Sequence, residues 1–339
     1  MLNIVVINLL RDEKRATMFK IRDILLVMII LVSTSIIVKG EGDSEKLILG
    51  GTYLKEIKIE YDANVDNNEE YYSLERYFRP SNMPILNDRI ESSLYSIYGD
   101  KASDIKLHKK FLSTPEETII NYFSVLREAA NPTNNTNTGC GTLGYAKGPY
   151  PVAYNFLSSS YKDKYSYEDY LKSFENKLHI NLVKLSKVPP DENNQNEIKY
   201  FVELEVIEGS DKHMGLFAYY YGYIYLDNEK GQYKIKNMEY MGENYLCAPY
   251  HGWSYNARSL VEIEYGDWCS LVSGNIEVKN DGYEKRVYFK DKEKNEYYVL
   301  FYQLTNGVDI KIADYKKNKN GVWELIYINP EKCIENKNN

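Results

Sequence analysis

Four cysteines and four histidines are all that 339 residues supply, and none of them falls in a CxxC or Cys/His cluster. A structural zinc site needs convergent sulfur or imidazole donors at short spacing, so no metal is assigned and no cofactor is expected. No GxSxG elbow marks a nucleophile, and no glycine-rich loop of the Walker or dinucleotide type cradles a phosphate. No basic cluster interrupts the chain either. Residues 1–40 hold six Lys/Arg and three Asp/Glu, which leaves 36 basic against 46 acidic groups, or −10, for the remainder. Such a surface gains little by releasing counterions from a polyanion, so nucleic acid is excluded as a partner.

What the chain does have is apolar and aromatic mass. Hydrophobic residues make up 43% and aromatics 14%, with 34 tyrosines, enough to pack a core rather than leave the chain disordered. Tyrosine suits half-buried strands because its ring packs while its hydroxyl stays wet, and much sheet is expected.

The apolar mass is unevenly placed. Ile24 to Val38 carries no charge and follows Lys20 and Arg22, the basic-then-apolar order of a secretory signal or signal anchor. Residues 18–40 are read that way, with the membrane as partner through this segment and the rest of the chain extracytoplasmic, membrane-anchored or secreted. The run is shorter than the about 20 residues of a typical spanning helix, and Val38-Lys39-Gly40 offers a cleavage point, so retention and release both stay open. Residues 1–17, ahead of Met18, read as an upstream extension.

Cys140, Cys247, Cys269 and Cys333 all follow that segment, in a compartment where disulfides persist. Three pairings are open. Cys247 and Cys269 flank one predicted helix and would staple it to the preceding strand; the alternative is isolated thiols in small apolar niches.

Residues 41–112 read as a connecting arm with local structure: Leu47 to Tyr61 alternates loosely like a strand or two, and a short helix within 87–99 places Ile90, Leu94 and Ile97 on one face. At Thr114 a clear unit begins. Thr-Pro-Glu-Glu supplies an N-cap, a proline at the first helical position and Glu117 at the third. Ile119, Phe123, Leu126 and Ala130 then recur at helical spacing. A polar loop runs to Pro149 and carries Cys140. Val152–Tyr161 reads as one short helix, and Ser166 with Asp169 caps another. From Ile180 the period changes to two, giving four strands to Met241 with turn residues between them.

The opening helix ETIINYFSVLREA, the segment AYNFLSSSYKDKYSYEDYLKSF and the strand QYKIKNMEY resemble the nuclear-transport-factor-2-like (cystatin-like cone) superfamily over about residues 114–241, most nearly its versions in exported bacterial envelope proteins. The resemblance implies helices packed on a curved antiparallel sheet around a concave pocket, and implies no reaction. It places a cone-like α+β domain at 113–246. A smaller domain at 247–330 follows, with a helix bearing Ala257, Leu260, Val261, Tyr265, Trp268 and Leu271 at helical spacing. A meander of four strands completes it, at 283–290, 296–304, 308–315 and 322–328, and residues 331–339 read as a tail.

Candidate chemistry is sparse, and no catalytic residue is assigned. Tyr219, Tyr221 and Tyr223 share one strand face with Phe217 and Tyr225, a ladder suited to stacking on sugar rings; the competing account is cross-strand packing, with Gly222 permitting a bend. His251 and Trp253, beside Pro249 and Tyr250, either line a pocket or plug a strand-to-helix corner. The pairs Glu203/Glu205 and Glu262/Glu264 read as solvated faces. Two functions are carried forward: a non-enzymatic envelope module that binds an envelope protein or wall glycan, and a small-molecule isomerase or hydrolase using the pocket of the cone-like domain.

Overall fold

In the computed structural model the described residues are 46–54, 81–88, 92–98, 100–133, 145–209, 215–243 and 256–337. The leader at 18–40, Cys140, Cys247, His251 and Trp253 lie outside them. Everything from Leu47 onward belongs to one unit, and it is α+β.

The helices start where their caps dictate. Thr114 Oγ1 accepts the Glu117 N–H at 3.1 Å, and a helix (α2, after a single turn α1 at Ser92–Tyr95) runs Pro115–Arg127. Its buried stripe includes Ile119, Phe123 and Leu126, as the spacing predicts, and also Tyr122 and Val125. Where one helix is expected at Val152–Tyr161 there are two, α3 at Tyr150–Tyr154 and α4 at Ser159–Lys164. The break has a cause. Phe156 O accepts from Ile235 N, and Ser158 N donates to Ile235 O at 2.8 Å, so a strand-like bridge pulls the backbone out of the helix before Ser158 caps the next one. Ser166 and Asp169 close a reciprocal capping box for α5, Tyr167–Lys172.

Four long strands follow as an antiparallel meander: β3 Lys177–Val188, β4 Ile198–Gly209, β5 Gly215–Glu229 and β6 Gln232–Gly242. The arm extends this sheet, which the expectation of an antiparallel sheet alone did not include. Leu47–Ile48 (β1) and Gly51–Tyr53 (β2) form a hairpin, and β2 pairs parallel to β6, making a mixed six-stranded sheet ordered β1-β2-β6-β5-β4-β3. The hairpin turn is pinned from the helix side: Gly50 N donates to Ser173 Oγ at 2.8 Å, and Tyr161 OH donates to Gly50 O at 2.5 Å. A Cβ at Gly50 would stand 2.9 Å from the Tyr170 ring at φ +81°, which reserves the position for glycine. Gly222 is tighter still, since its Cβ would lie 1.8 Å from Glu239 O on the neighbouring strand. Asn87 ties β3 to α2, donating to Phe123 O and Ile180 O and accepting from Leu182 N.

A second, five-stranded antiparallel sheet is ordered β11-β10-β9-β8-β7, with β7 Glu277–Asp281, β8 Glu284–Lys290, β9 Glu296–Gln303, β10 Asp309–Lys317 and β11 Trp323–Ile326. Its edge strand β7 is exposed throughout and carries no apolar alternation, which is why periodicity does not find it. Helix α6, Ala257–Leu260, runs on as a π-helical segment Val261–Trp268. Ala257, Val261 and Tyr265 pack it on Val287, Phe289, Tyr297, Val299 and Phe301.

The meander is covered on both faces. Tyr200, Val202, Leu204, Val206, Ile224 and Tyr240 lie under α2 to α5, while Val188, Phe201 and Tyr221 meet Leu300, Tyr302 and Leu304 of the second sheet.

The cysteine pairing differs from the Cys247–Cys269 expectation. Cys269, at the end of the π-helical segment, is bonded to Cys333 across a Cα separation of 5.0 Å. Residues 331–337 of the stretch read as a tail belong to a helix, α7, Pro330–Lys337, which brings Cys333 to that helix end. A cross-link closing 64 residues removes about 4 kcal/mol of unfolded-chain entropy on the chain-entropy account. Cys333→Ser is therefore expected to lower the stability of the oxidised protein by about 2–4 kcal/mol. It should change nothing once wild type is fully reduced, as read from urea midpoints with and without dithiothreitol.

Candidate functional site

Strand alternation puts Phe201, Glu203 and Glu205 of β4 on the face opposite Tyr200, Val202 and Leu204. With the helices on one side, that second face would be wet if the sheet ended the domain. Instead the other sheet covers it, and Glu203 is 0% and Glu205 1% exposed. This corrects their reading as solvated residues. Phe201, Tyr219 and Tyr221 share the face, and their company is the sequence cue that it is a covered one. Glu262 remains exposed, paired with Arg258 at 2.8 Å.

A bulge decides what meets Glu203. The β3/β4 register runs Asn181 opposite Glu205 and Leu182 opposite Leu204, then skips Val183 and sets Lys184 opposite Glu203. One inserted residue thus replaces an aliphatic neighbour with an ammonium. Lys184, 3% exposed, pairs with Glu203 Oε2 and also donates to Gln303 O at 2.6 Å. Thr305 N donates to Glu203 Oε1 at 2.9 Å, and Asn306 N to Glu243 Oε2 at 3.3 Å. Glu243 follows β6, and its own N–H donates to Tyr219 O. The β9–β10 turn is in this way held on the first sheet by two carboxyls and one ammonium.

In the adjacent row, Glu205 accepts from Asn181 Nδ2 at 2.9 Å and from Tyr219 OH at 2.5 Å. His179 Nε2 meets Asn181 Oδ1 at 3.0 Å. Burial, and then the charge of Arg127, hold His179 below its ordinary range. Burial pushes Glu243 well up, and the neighbouring Glu203 carboxylate adds to that.

The predicted ladder is divided by this arrangement. Tyr219 and Tyr221 are buried, the first bonded to Glu205 and the second packed between the sheets. Tyr223 is half-buried, edge-on to Phe201 at 6.0 Å with Lys199 Nζ 4.4 Å above its ring. Burial, then Tyr221, raise its hydroxyl to about 12. On the helix side, Tyr122, Tyr150, Tyr161, Tyr170 and Phe174 are all fully buried under the sheet.

Among the described residues no group of three or more His, Cys, Asp or Glu gathers to hold a metal, and no helix is long and apolar enough to cross a membrane. Neither a protein-family model, nor a characterised protein, nor a solved structure matches the chain.

A buried ion pair broken on one side leaves an uncompensated charge. Lys184→Met is expected to cost about 3–5 kcal/mol in urea unfolding. Adding Glu203→Met should recover a large part of that loss. Single losses that merely add in the double variant would show that the two charges do not depend on each other.

Proposed function

We propose that this chain is a non-enzymatic, exported or membrane-anchored envelope module that binds a wall glycan or an envelope protein. The observation that carries the reading is the filling of the helix side of the six-stranded sheet. The rings of Tyr122, Tyr150, Tyr154, Tyr161, Tyr170 and Phe174 interlock there, so the space that a hollow cone would give a substrate is taken by side chains. Helices laid on a bulged meander agree with the resemblance to the nuclear-transport-factor-2-like superfamily, here as a plugged cone. The alternative, a small-molecule isomerase or hydrolase, would need its proton-handling groups in that interior. Lys184, Glu203 and Glu205 are instead on the opposite face, beneath the second sheet.

Binding then falls to the partly exposed margin of the second sheet's inner face, where Tyr298 and Tyr315 border the sheet-to-sheet cluster. Strands β8 to β11 carry half-buried Tyr288, Tyr298, Tyr315 and Trp323 in mutual contact, with Tyr298 and Tyr315 stacked at 4.5 Å and Trp323 edge-on to Tyr298 at 4.8 Å. Arg286 with Glu284, and Lys317 with Glu296, supply hydrogen-bonding groups around the rings. Aromatic surface rimmed by paired charges suits sugar rings, which present apolar faces and hydroxyl edges. The Cys269–Cys333 bond and the acidic composition fit an extracytoplasmic setting.

The test has two parts. Alkylation of the native, untagged protein before reduction should find Cys269 and Cys333 protected, in an extracytoplasmic fraction. The chain should also co-sediment with purified wall polysaccharide, with Trp323→Ala weakening retention at least about tenfold, the range of a lost central aromatic contact. A wholly intracellular protein with free thiols, or retention indifferent to Trp323 and displaced by no saccharide, overturns the reading.

A further inference from the structure

The contact between the two sheets holds more acid than base. Lys184 is the only ammonium paired there with Glu203 among the described residues, yet Glu243 brings a second carboxyl to the same point. Among the described residues two buried oxygens, Glu243 Oε1 and Thr305 Oγ1, have no hydrogen-bond partner, and Glu203 Oε2 meets only the Lys184 charge. Two facing carboxylates are acceptors only, so neither can satisfy the other unless one carries a hydrogen. A single proton supplies the missing donor and cancels the surplus negative charge.

We propose that Glu203 and Glu243 form a proton-binding latch, which sets how firmly the β9–β10 turn is held on the six-stranded sheet. A metal cation fits the same point poorly. The Lys184 ammonium already sits on Glu203 Oε2, and Thr305 N and Asn306 N aim their hydrogens at Glu203 Oε1 and Glu243 Oε2. Among the described residues the groups facing the pair are few. They are Lys184 on β3, Glu205 one row along β4, Tyr219 and Tyr221 on β5, and Tyr283 with its neighbour Glu284 at the start of β8. Glu205 accepts from Asn181 and Tyr219, and among the described residues of these elements Lys184 is the cation that faces the pair.

The direction follows from linkage. An acid held above its ordinary range in the folded state favours folding fully when pH lies below that range. The contribution is lost as pH climbs from the ordinary carboxylate region through the raised value. The latch is closed in mild acid and loosens toward neutral and alkaline pH. Loosening frees the two amides. The inference stands apart from the proposed binding function.

Hydrogen exchange on the full-length chain reads it directly. Protection factors at Thr305 and Asn306, corrected for intrinsic exchange, are expected to fall by up to about tenfold per pH unit above the ordinary carboxylate range. Amides in the centre of β4 should keep theirs. Glu243→Gln, an isostere that cannot ionise, should flatten the dependence. Protection at the turn that is independent of pH, or a Glu243→Gln profile with the wild-type slope, overturns the latch. Should that variant not fold, carbon-13 titration of wild-type glutamate carboxyls decides instead. One carboxyl titrating above the ordinary range supports the proposal, and none doing so overturns it.

Discussion

A sheet that is buried on both faces has no wet side on which to leave a charge, and β3 to β6 form such a sheet. Helices take the Tyr200, Val202, Leu204 face, and the second sheet takes the Phe201, Tyr221 face. Every ionisable residue that strand alternation sends to the second face must be paired where it stands, because desolvating a carboxylate costs several kcal/mol. Lys184 opposite Glu203, and Asn181 with Tyr219 around Glu205, are the solutions. The bulge at Val183 is part of the same solution, since without it the ammonium would point the other way. Position in the sheet thus determines which side chains the neighbouring elements must supply.

Tyrosine serves this architecture because it brings apolar area together with a polar tip that tolerates burial once bonded. Tyr122 OH and Tyr170 OH meet at 3.2 Å, Tyr161 bonds Gly50 O, Tyr154 bonds Tyr165 O, and Tyr265 bonds Asp314 at 2.5 Å. Composition alone suggested sheet surfaces as the use of these residues. The structure spends many of them under helices, where their hydroxyls join segments far apart in sequence, such as the β1–β2 turn to α4.

Local rules were readable where a single segment decides its own shape. The Thr114 and Ser166 caps, the alternation in β3 to β6 and the strand positions in 283–328 need only neighbours along the chain, and they are found in the structure. Features that depend on a distant partner were not readable. The loose alternation from Leu47 to Tyr61 does mark strand at Leu47–Tyr53, but nothing in it shows the parallel pairing with β6. The helix break after Tyr154 exists because Ile235 bonds Phe156 and Ser158. Cys269 could be matched with Cys333 only once α7 had a place. The burial of Glu203 and Glu205 depends on where the second sheet docks, for which strand period holds no information. Phe201 and the tyrosines on their face were the available hint.

One hairpin connects these constraints. Gln303, Thr305 and Asn306 bond the first sheet through Lys184, Glu203 and Glu243. Three residues later Asp309, buried at the start of β10, accepts from Ala257 N at 2.8 Å and pairs with Lys285, which seats helix α6 on the opposite face of the second sheet. A displacement of this turn therefore acts on the sheet-to-sheet contact and on the first turn of α6 together, because both are bonded to the same short stretch of backbone. The far end of that helix is held separately, by Cys269 to Cys333.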